Sequence, residues 1–126
     1  MCKILVVDDS RLTLQAIRET LTPEHDVVIT ENPLEVPHLI HERRPDLVII
    51  DLNMPTMRGD VVARIIRKAF GNDVVVLLHT EVPAEAQRLL EGCGANGVVP
   101  KSFDEKMLRE VVALHLRKLA AHARAG

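Results

Sequence analysis

Acidic, hydroxyl and amine side chains follow short apolar segments of this sequence, where strands are predicted to end. Asp8 and Asp9 come after the first segment, Asp51 closes the third, Thr80 lies just past the fourth and Lys101 just past the fifth. Three carboxylates that meet at one place repel one another, which favours a divalent cation between them. Oxygen ligands without His or Cys favour Mg²⁺, which keeps several waters and accepts phosphate oxygens. These residues therefore predict a magnesium site that receives a phosphoryl group.

The same residue types suggest how such a site would work. A lysine ammonium and a threonine hydroxyl that face the ion would donate to phosphoryl oxygens, and a carboxylate across the metal could be the nucleophile that forms an acyl phosphate. Singly, each has a plainer interpretation: the Asp8–Ser10 run is a turn with a helix cap, Thr80 a loop hydroxyl and Lys101 a solvated lysine. Asp51 is more informative, because an ionised carboxylate beside a buried strand is costly unless it is solvated, paired or metal-bound. Their joint placement favours the functional interpretation.

Apolar and mostly β-branched segments supply the strands that must position these residues. The segments are continuous rather than alternating, which is typical of strands covered on both faces. They are Ile4–Val7, Val27–Ile29, Leu47–Ile50 and Val74–Leu78, with a weaker fifth at Gly97–Val99 that Pro100 cuts off. Repeated alternation of strand and helix predicts parallel strands with right-handed crossovers, which is a three-layer α/β sandwich. Ligands of such sheets bind outside the carboxyl ends of the strands.

Helical patterns lie between these segments, each with its own start signal. The predicted starts are a cap at Ser10, a cap at Asn32 followed by Pro33, the stretch after Gly59, Pro83 for a helix that Gly92 ends, and a cap at Asp104. The predicted apolar faces are Leu14, Ile17 and Leu21 in the first helix, Val62, Ile65, Ile66 and Ala69 in the third, and Leu108, Val111, Val112, His115 and Leu119 in the last.

Composition restricts the class of protein. The chain has 126 residues with a net charge of −2, two Phe and no Trp or Tyr, which predicts one domain over residues 1–126 without the basic or aromatic surface of a direct nucleic-acid binder. The longest apolar run, Val74–Leu78, is far shorter than the about 20 residues of a membrane span. The first residues lack a secretory signal, so we expect a cytoplasmic protein with no membrane contact. Cys2 and Cys93 match no metal or redox spacing and are expected to be reduced and partly buried.

Five motifs in order link the sequence to a known family. They are Val6–Ser10, Asp51–Pro55 with Gly59, His79–Thr80, Gly94–Gly97 and Lys101–Phe103. With these motifs the chain resembles the receiver domains of bacterial two-component response regulators, from about residue 3 to the last helix. The resemblance implies a flavodoxin-like sandwich with five parallel strands in the order 2-1-3-4-5 and five helices.

The resemblance also implies a role for each site residue. Asp51 would be the phosphoacceptor, which attacks a phosphohistidine on a sensor histidine kinase or a histidine phosphotransfer protein. Lys101 would pair with one phosphoryl oxygen, and Thr80 would move to bind another. The implied Mg²⁺ ligands are Asp9, Asp51 and the backbone carbonyl of Asn53, with Asp8 acting through water. Such a protein catalyses its own phosphorylation and dephosphorylation and is a switch rather than a metabolic enzyme.

Three positions depart from the family pattern. Val98 stands where the family usually has an aromatic residue coupled to the hydroxyl, so activation is expected to pass through backbone and loop shifts or to be weak. Glu81 stands where the family has a small residue, and we expect it to slow reaction with small phosphodonors; alternatively it points to water. Ser102 replaces a proline that follows a cis peptide, so the loop is either trans and slightly moved or strained.

Two other functions compete with the switch. A haloacid dehalogenase-type phosphatase needs an Asp-x-Asp pattern after the first strand, which the adjacent Asp8 and Asp9 do not provide. A receiver-like module that binds proteins without phosphorylation is the stronger alternative. We expect a downstream partner to dock on the last two helices and the strand between them, and the chain to be a monomer or a weak dimer. The sequence is compatible with a stand-alone receiver or a fragment of a longer regulator.

The end of the chain is helix-prone from Lys118 to Ala125. We expect it to lengthen the last helix by a turn or two. It would then be a dimer or partner surface, or a frayed end, of which the frayed end is favoured.

Overall fold

Strands and helices alternate along residues 2–125, the part of the chain that the computed structural model describes. The strands are β1 (Lys3–Val7), β2 (Asp26–Thr30), β3 (Leu47–Asp51), β4 (Val75–Thr80) and β5 (Gly97–Pro100). The helices are α1 (Arg11–Leu21), α2 (Val36–Arg43), α3 (Gly59–Phe70), α4 (Pro83–Cys93) and α5 (Glu105–Ala125), with a short 3-10 turn at Pro33–Glu35.

The sheet is parallel, and its strand order is β2-β1-β3-β4-β5. This confirms the predicted order and the three-layer sandwich. One layer packs α2, α3 and α4 on the sheet through residues such as Ile40, Val62 and Ala86, and the other packs α1 and α5 through residues such as Leu14 and Val112. Every residue of β3 is buried, as its continuous apolar run predicts.

Two predicted helix caps are present. The Ser10 hydroxyl accepts the Thr13 N–H at 3.3 Å, and Asp104 Oδ1 accepts the Met107 N–H at 2.8 Å. Both are local contacts that satisfy free N–H groups of a first turn. The Asn32 carboxamide also caps, but the segment it opens is the 3-10 turn, and α2 begins only at Val36.

The end predicted for α4 is wrong by two residues. The helix continues through Gly92 to Cys93, and Gly94 terminates it with φ of 79° and an N–H donated to the Leu90 carbonyl at 2.9 Å. A residue in this left-handed conformation favours glycine, which explains why Gly94 rather than Gly92 is the cap.

The predicted inner face of α3 is partly wrong. Val62 and Ile66 are buried, but Ile65 and Ala69 are exposed and Ala63 takes the inner position. The sequence pattern gives the helical period, whereas the rotation of the helix about its axis depends on packing against the sheet.

The strands β4 and β5 both end later than predicted. β4 begins at Val75 and includes Thr80 as its last residue, and β5 includes Pro100, which pairs with Thr80. Proline is tolerated there because β5 is an edge strand and the missing N–H breaks no bond to an outer neighbour. The Lys101 N–H continues the ladder by donating to the Thr80 carbonyl at 2.7 Å.

Arg67 of α3 ties together the end of the molecule opposite the carboxyl ends of the strands. Its guanidinium donates to the carbonyls of Gly94 at 2.7 Å, Val74 at 2.7 Å and Gly71 at 2.9 Å, and to the side chain of Asn96. All four acceptors are neutral. Burial accordingly lowers the pKa of Arg67, and the cation interacts with the negative ends of two helix dipoles.

The last helix confirms two further expectations. His115 is half-buried and packs against β5, where a Cβ on Gly97 would come within 2.9 Å of its Nε2 atom. The tail from Lys118 is helical to Ala125, so it lengthens α5 as predicted. Within residues 2–125, no helix is both long enough and apolar enough to cross a membrane.

Both cysteines are free, with Cys2 half-buried and Cys93 buried, as predicted. The described peptide bonds are all trans, so the Lys101–Ser102 bond takes the first of the two conformations considered for it.

Candidate functional site

The carboxyl edge of the sheet brings the predicted residues together. Asp8 follows β1, Asp51 ends β3, Thr80 ends β4 and Lys101 follows β5. Oxygens of Asp8, Asp9 and Asp51 all lie within 4.8 Å of one another. Asp8 and Asp51 are buried with 1% and 2% of their surfaces exposed, whereas Asp9 is exposed. Asp8 and Asp51 therefore form the buried base of the cluster, and Asp9 lies at its solvent-exposed side.

Lys101 is the cation of this cluster. Its Nζ lies 3.2 Å from Oδ1 of Asp51 and 3.8 Å from Oδ2 of Asp8. Burial alone would lower the pKa of Lys101, but its bond to Asp51 and the charges of Asp8, Asp51 and Glu81 raise it. The ammonium therefore stays protonated at neutral pH and offsets part of the negative charge.

Asp8 carries the least compensated charge of the cluster. Its Oδ1 accepts the Ser10 N–H at 2.9 Å, but its buried Oδ2 has no hydrogen-bond partner. Burial raises the pKa of Asp8 to about 6, assisted by the negative charge of Asp51 and opposed by the Ser10 N–H and Lys101. A buried polar atom without a partner is costly, and a cation or its water would supply what Oδ2 lacks. The residues present therefore fit a divalent metal.

Asp51 is held by two donors on one oxygen. Besides Lys101, the Asn53 N–H donates to Oδ1 at 3.3 Å, which places the Asn53 backbone beside the carboxylate cluster. Burial raises the pKa of Asp51, and the bond to Lys101 counteracts this.

The loop after Asp51 is shaped by Gly59. The Gly59 N–H donates to the Leu52 carbonyl at 2.8 Å, and a Cβ at this position would lie 2.5 Å from the Asp51 carbonyl oxygen. Only glycine permits α3 to begin so close to the strand that carries Asp51.

Thr80 is fully buried, and its hydroxyl oxygen accepts the Val82 N–H at 3.0 Å. The hydroxyl is therefore engaged by its own loop in this conformation. The sequence places Thr80 at the strand end but gives no indication of this contact.

The three departures are visible in the structure. Val98 is half-buried, packs against the α2–α3–α4 side of the core and has no ring to reach Thr80. Glu81 is exposed, yet its charge contributes to the raised pKa of Lys101, so it adds negative potential at the mouth of the site. Ser102 is exposed.

His79 lies beside Asp51 in the sheet and adds no charge to the site. It is buried in β4 opposite Asp51, and its carbonyl accepts the Leu52 N–H at 2.9 Å. Burial and then the charge of Lys101 lower its pKa to about 4, so the imidazole is neutral at physiological pH. This agrees with a structural role at the strand end.

A charged network beside the site was not predicted from the sequence. Arg58 Nε lies 3.0 Å from Oδ1 of Asp60, Arg58 Nη2 lies 3.1 Å from Oε1 of Glu85, and Arg64 Nη2 lies 3.2 Å from Oδ2 of Asp60. The Asp60–Arg64 pair has helical i, i+4 spacing and was discoverable from the sequence. The Arg58–Glu85 pair joins residues 27 positions apart, and no sequence pattern signals it.

Comparisons with known proteins point to one family. A model of the response regulator receiver domain matches residues 4–113. Response regulator MprA of Mycobacterium sp. (strain KMS) is 33% identical over 115 residues, which cover 89% of this chain and 50% of that protein.

Solved structures agree. Chemotaxis protein CheY4 of Vibrio cholerae has a TM-score of 0.83 and 28% identity, covering 90% of this chain and 97% of that one. A CheY-like receiver domain protein from Methanospirillum hungatei JF-1 has a TM-score of 0.88 at 20% identity, covering 97% and 98%, which shows the shared fold. The chain spans about half the length of the curated relatives it matches.

Proposed function

Because this chain belongs to the response regulator receiver domain family, whose general function is a phosphorylation-based switch, we propose that its Asp51 accepts a phosphoryl group and that residues 1–126 act as one receiver domain. The ion pair at 3.2 Å between Lys101 and Asp51, beside two further carboxylates, carries the proposal. A carboxylate nucleophile reacts with an anionic phosphoryl group only if cations screen their mutual repulsion. Lys101 supplies one such cation, and the acidic cluster fits a second.

The second cation in this proposal is Mg²⁺. Receiver domains generally bind Mg²⁺ through an acidic pocket, and the partnerless Oδ2 of Asp8 supports the same for this chain. Asp9, Asp51 and the Asn53 carbonyl would hold the ion directly, and Asp8 would hold it through water. When bound, Mg²⁺ would neutralise charge on the phosphoryl oxygens and so reduce their repulsion of the Asp51 carboxylate.

The chemical step is carried by Asp51. A carboxylate oxygen attacks the phosphorus of a phosphohistidine, the P–N bond breaks, and its electron pair returns to the imidazole nitrogen of the donor. Lys101 donates to a phosphoryl oxygen in the product, and Thr80 leaves the Val82 N–H to donate its own proton to another. Attack by water at phosphorus then releases inorganic phosphate and restores the Asp51 carboxylate, so the switch resets itself.

The donor and the target are protein partners. Receiver domains interact with histidine kinases and downstream effectors. For this chain we propose a sensor histidine kinase or a histidine phosphotransfer protein as donor, and a downstream protein that reads the face formed by α4, β5 and α5. Activation reaches that face through the loop after Thr80, since Val98 has no ring to transmit it.

Intact-mass spectrometry after incubation with Mg²⁺ and a small phosphodonor tests the proposal. We expect one phosphoryl adduct on the wild type, none on Asp51→Asn and none when the metal is chelated. Asp73→Asn is the matched control, because Asp73 is exposed in the loop between α3 and β4 and should not affect the adduct.

A phosphorylated histidine kinase or histidine phosphotransfer protein is the second donor. If the small donor fails and the kinase succeeds, the proposal stands, and a Glu81→Ala variant tests whether Glu81 excludes small donors. If both fail, phosphorylation of Asp51 is refuted, and the phosphorylation-independent binding module becomes the better account.

A further inference from the structure

The first turn of α4 is poorly capped and lies directly after Thr80. Its N-cap residue, Val82, has no side-chain oxygen to accept the free N–H groups of the turn. The N–H of Val82 itself is bound by the Thr80 hydroxyl at 3.0 Å. A second contact is the ion pair between Glu85, within this turn, and Arg58 at 3.1 Å. The position of the turn thus depends on the Thr80 hydroxyl, which is also proposed to bind a phosphoryl oxygen.

The α3 side of this ion pair is firmly placed. Arg58 immediately precedes Gly59, which is fixed against the backbone of Asp51 and Leu52. The same guanidinium binds Asp60 at 3.0 Å, and the Asp60 side chain is almost fully buried and also holds Arg64. Arg58 is therefore a fixed point beside the phosphoacceptor strand, to which Glu85 attaches the start of α4.

We propose that Arg58 and Glu85 are positioning residues that hold the first turn of α4 in its unphosphorylated position and so oppose the movement of Thr80. We name this ion pair the Arg58–Glu85 latch. The inference rests on the proposed function, because Thr80 moves only if a phosphoryl group or its analogue binds at Asp51. When the Thr80 hydroxyl leaves the Val82 N–H, the first turn of α4 loses that hydrogen bond. The latch then resists displacement of the turn.

The latch is half-exposed, which sets the size of its effect. The Arg58 and Glu85 side chains are 47% and 34% exposed. Coupling in exposed ion pairs corresponds to at most about a fivefold change in an equilibrium constant. Loss of the latch should therefore tighten binding of a phosphoryl analogue by about two- to fivefold.

Binding of beryllofluoride in the presence of Mg²⁺, followed by NMR titration of the full chain, measures this effect. The test variants are Glu85→Gln and Arg58→Gln. The matched controls are Glu91→Gln, which removes an exposed carboxylate from the same helix, and Arg64→Gln, which removes the other arginine on Asp60 and leaves the ion pair between Arg58 and Glu85 in place.

The two test variants separate the latch from simple electrostatics. Beryllofluoride is an anion, so removal of a nearby negative charge should tighten its binding and removal of a nearby positive charge should weaken it. The latch predicts tighter binding in both variants, with no further gain in the double variant because each removes the same contact. It also predicts that the difference from wild type shrinks at about 1 M salt.

Hydrogen exchange without beryllofluoride gives an independent readout. The hydrogen-bonded amides of Val82 and Glu85 at the start of α4 should exchange faster in Glu85→Gln than in Glu91→Gln, while amides in the last turn of α4 are unchanged. A general loss of stability would accelerate both ends alike and would contradict the latch.

The outcomes distinguish the two proposals. If the wild type and controls bind beryllofluoride and Glu85→Gln behaves as Glu91→Gln does, the latch is refuted and the proposed function survives. Opposite shifts in the two test variants also refute the latch. If the wild type neither binds beryllofluoride nor takes a phosphoryl group from either donor, the proposed function fails and the latch fails with it.

Discussion

Replacement of Asp8 by asparagine should stabilise the metal-free protein at pH 8. Asp8→Asn keeps the shape of the side chain and an oxygen for the Ser10 N–H, but it removes a buried charge whose Oδ2 has no hydrogen-bond partner. Burial raises the pKa of Asp8 from 3.8 to about 6. A shift of this size corresponds to about 3 kcal/mol of destabilisation well above pH 6, at 1.36 kcal/mol per pKa unit. This shift already includes the attraction of Lys101, but the buried amide nitrogen that replaces Oδ2 gains no partner in its place, which reduces the expected gain to about 2 kcal/mol.

The stability gained by Asp8→Asn should depend on pH, because folding raises the pKa of Asp8. A carboxyl whose pKa is raised by folding binds more protons in the folded state than in the unfolded state between pH 3.8 and about 6, so its contribution to stability falls as pH rises through that window. The cost is complete above pH 6 and mostly absent near pH 4. The advantage of Asp8→Asn should therefore shrink from about 2 kcal/mol at pH 8 to below about 1 kcal/mol at pH 4.5.

Urea denaturation with a chelator present, at pH 8 and pH 4.5, measures both values. Asp9→Asn is the matched control, since it removes a charge from the same cluster at an exposed position and should give a much smaller gain. Mg²⁺ should stabilise the wild type by about 1.4 kcal/mol at tenfold its dissociation constant, and Asp8→Asn by less. A variant no more stable than wild type at pH 8, or a gain that does not depend on pH, would refute the view that Asp8 is a strained buried charge.

Three further predictions concern single side chains. Arg67→Met should cost about 2–4 kcal/mol in urea denaturation because it leaves buried carbonyls unpaired, whereas Lys68→Met on the same helix should be nearly neutral; equal effects would contradict the role of Arg67. Gly59→Ala should destabilise by more than about 2 kcal/mol and reduce Asp51 phosphorylation, while Gly92→Ala, with open space around its Cβ, should stabilise by about 0.5–1 kcal/mol in thermal melts. Glu81→Ala should accelerate phosphorylation by a small anionic donor several-fold but leave transfer from a kinase within about twofold, as intact-mass time courses would reveal; an equal effect on both donors would mean that Glu81 does not act at the mouth of the site.

Features that depend on neighbouring residues were predictable from the sequence. The caps at Ser10 and Asp104 are contacts within three residues, and the β3 run is buried because parallel strands are covered on both faces. These elements place Asp8, Asp51 and their neighbours at one edge, so the location of the candidate site followed from strand order and strand ends.

Features that depend on packing between elements were not predictable. Ile65 has the correct helical spacing to be inside, but the rotation of α3 on the sheet exposes it. Gly94 rather than Gly92 ends α4, at the carbonyl that Arg67 binds from another helix. The hydroxyl of Thr80 and the Arg58–Glu85 pair have partners that only the assembled loops bring together.

The contacts of Arg67 hold α4 more firmly at its C-terminal end than at its N-terminal end. The guanidinium fixes the C-terminal end of this helix through Gly94, whereas its N-terminal end is held through a hydroxyl and a half-exposed ion pair. A helix of 11 residues is about 16 Å long, so a displacement of about 1 Å at the free end, with the other end as fulcrum, tilts its axis by about 4°. The tilt changes the orientation of every side chain on the outer face of the helix, including Arg88 and Glu91. A movement smaller than one bond length at the loop after Thr80 would thus change the orientation of the surface that a partner meets.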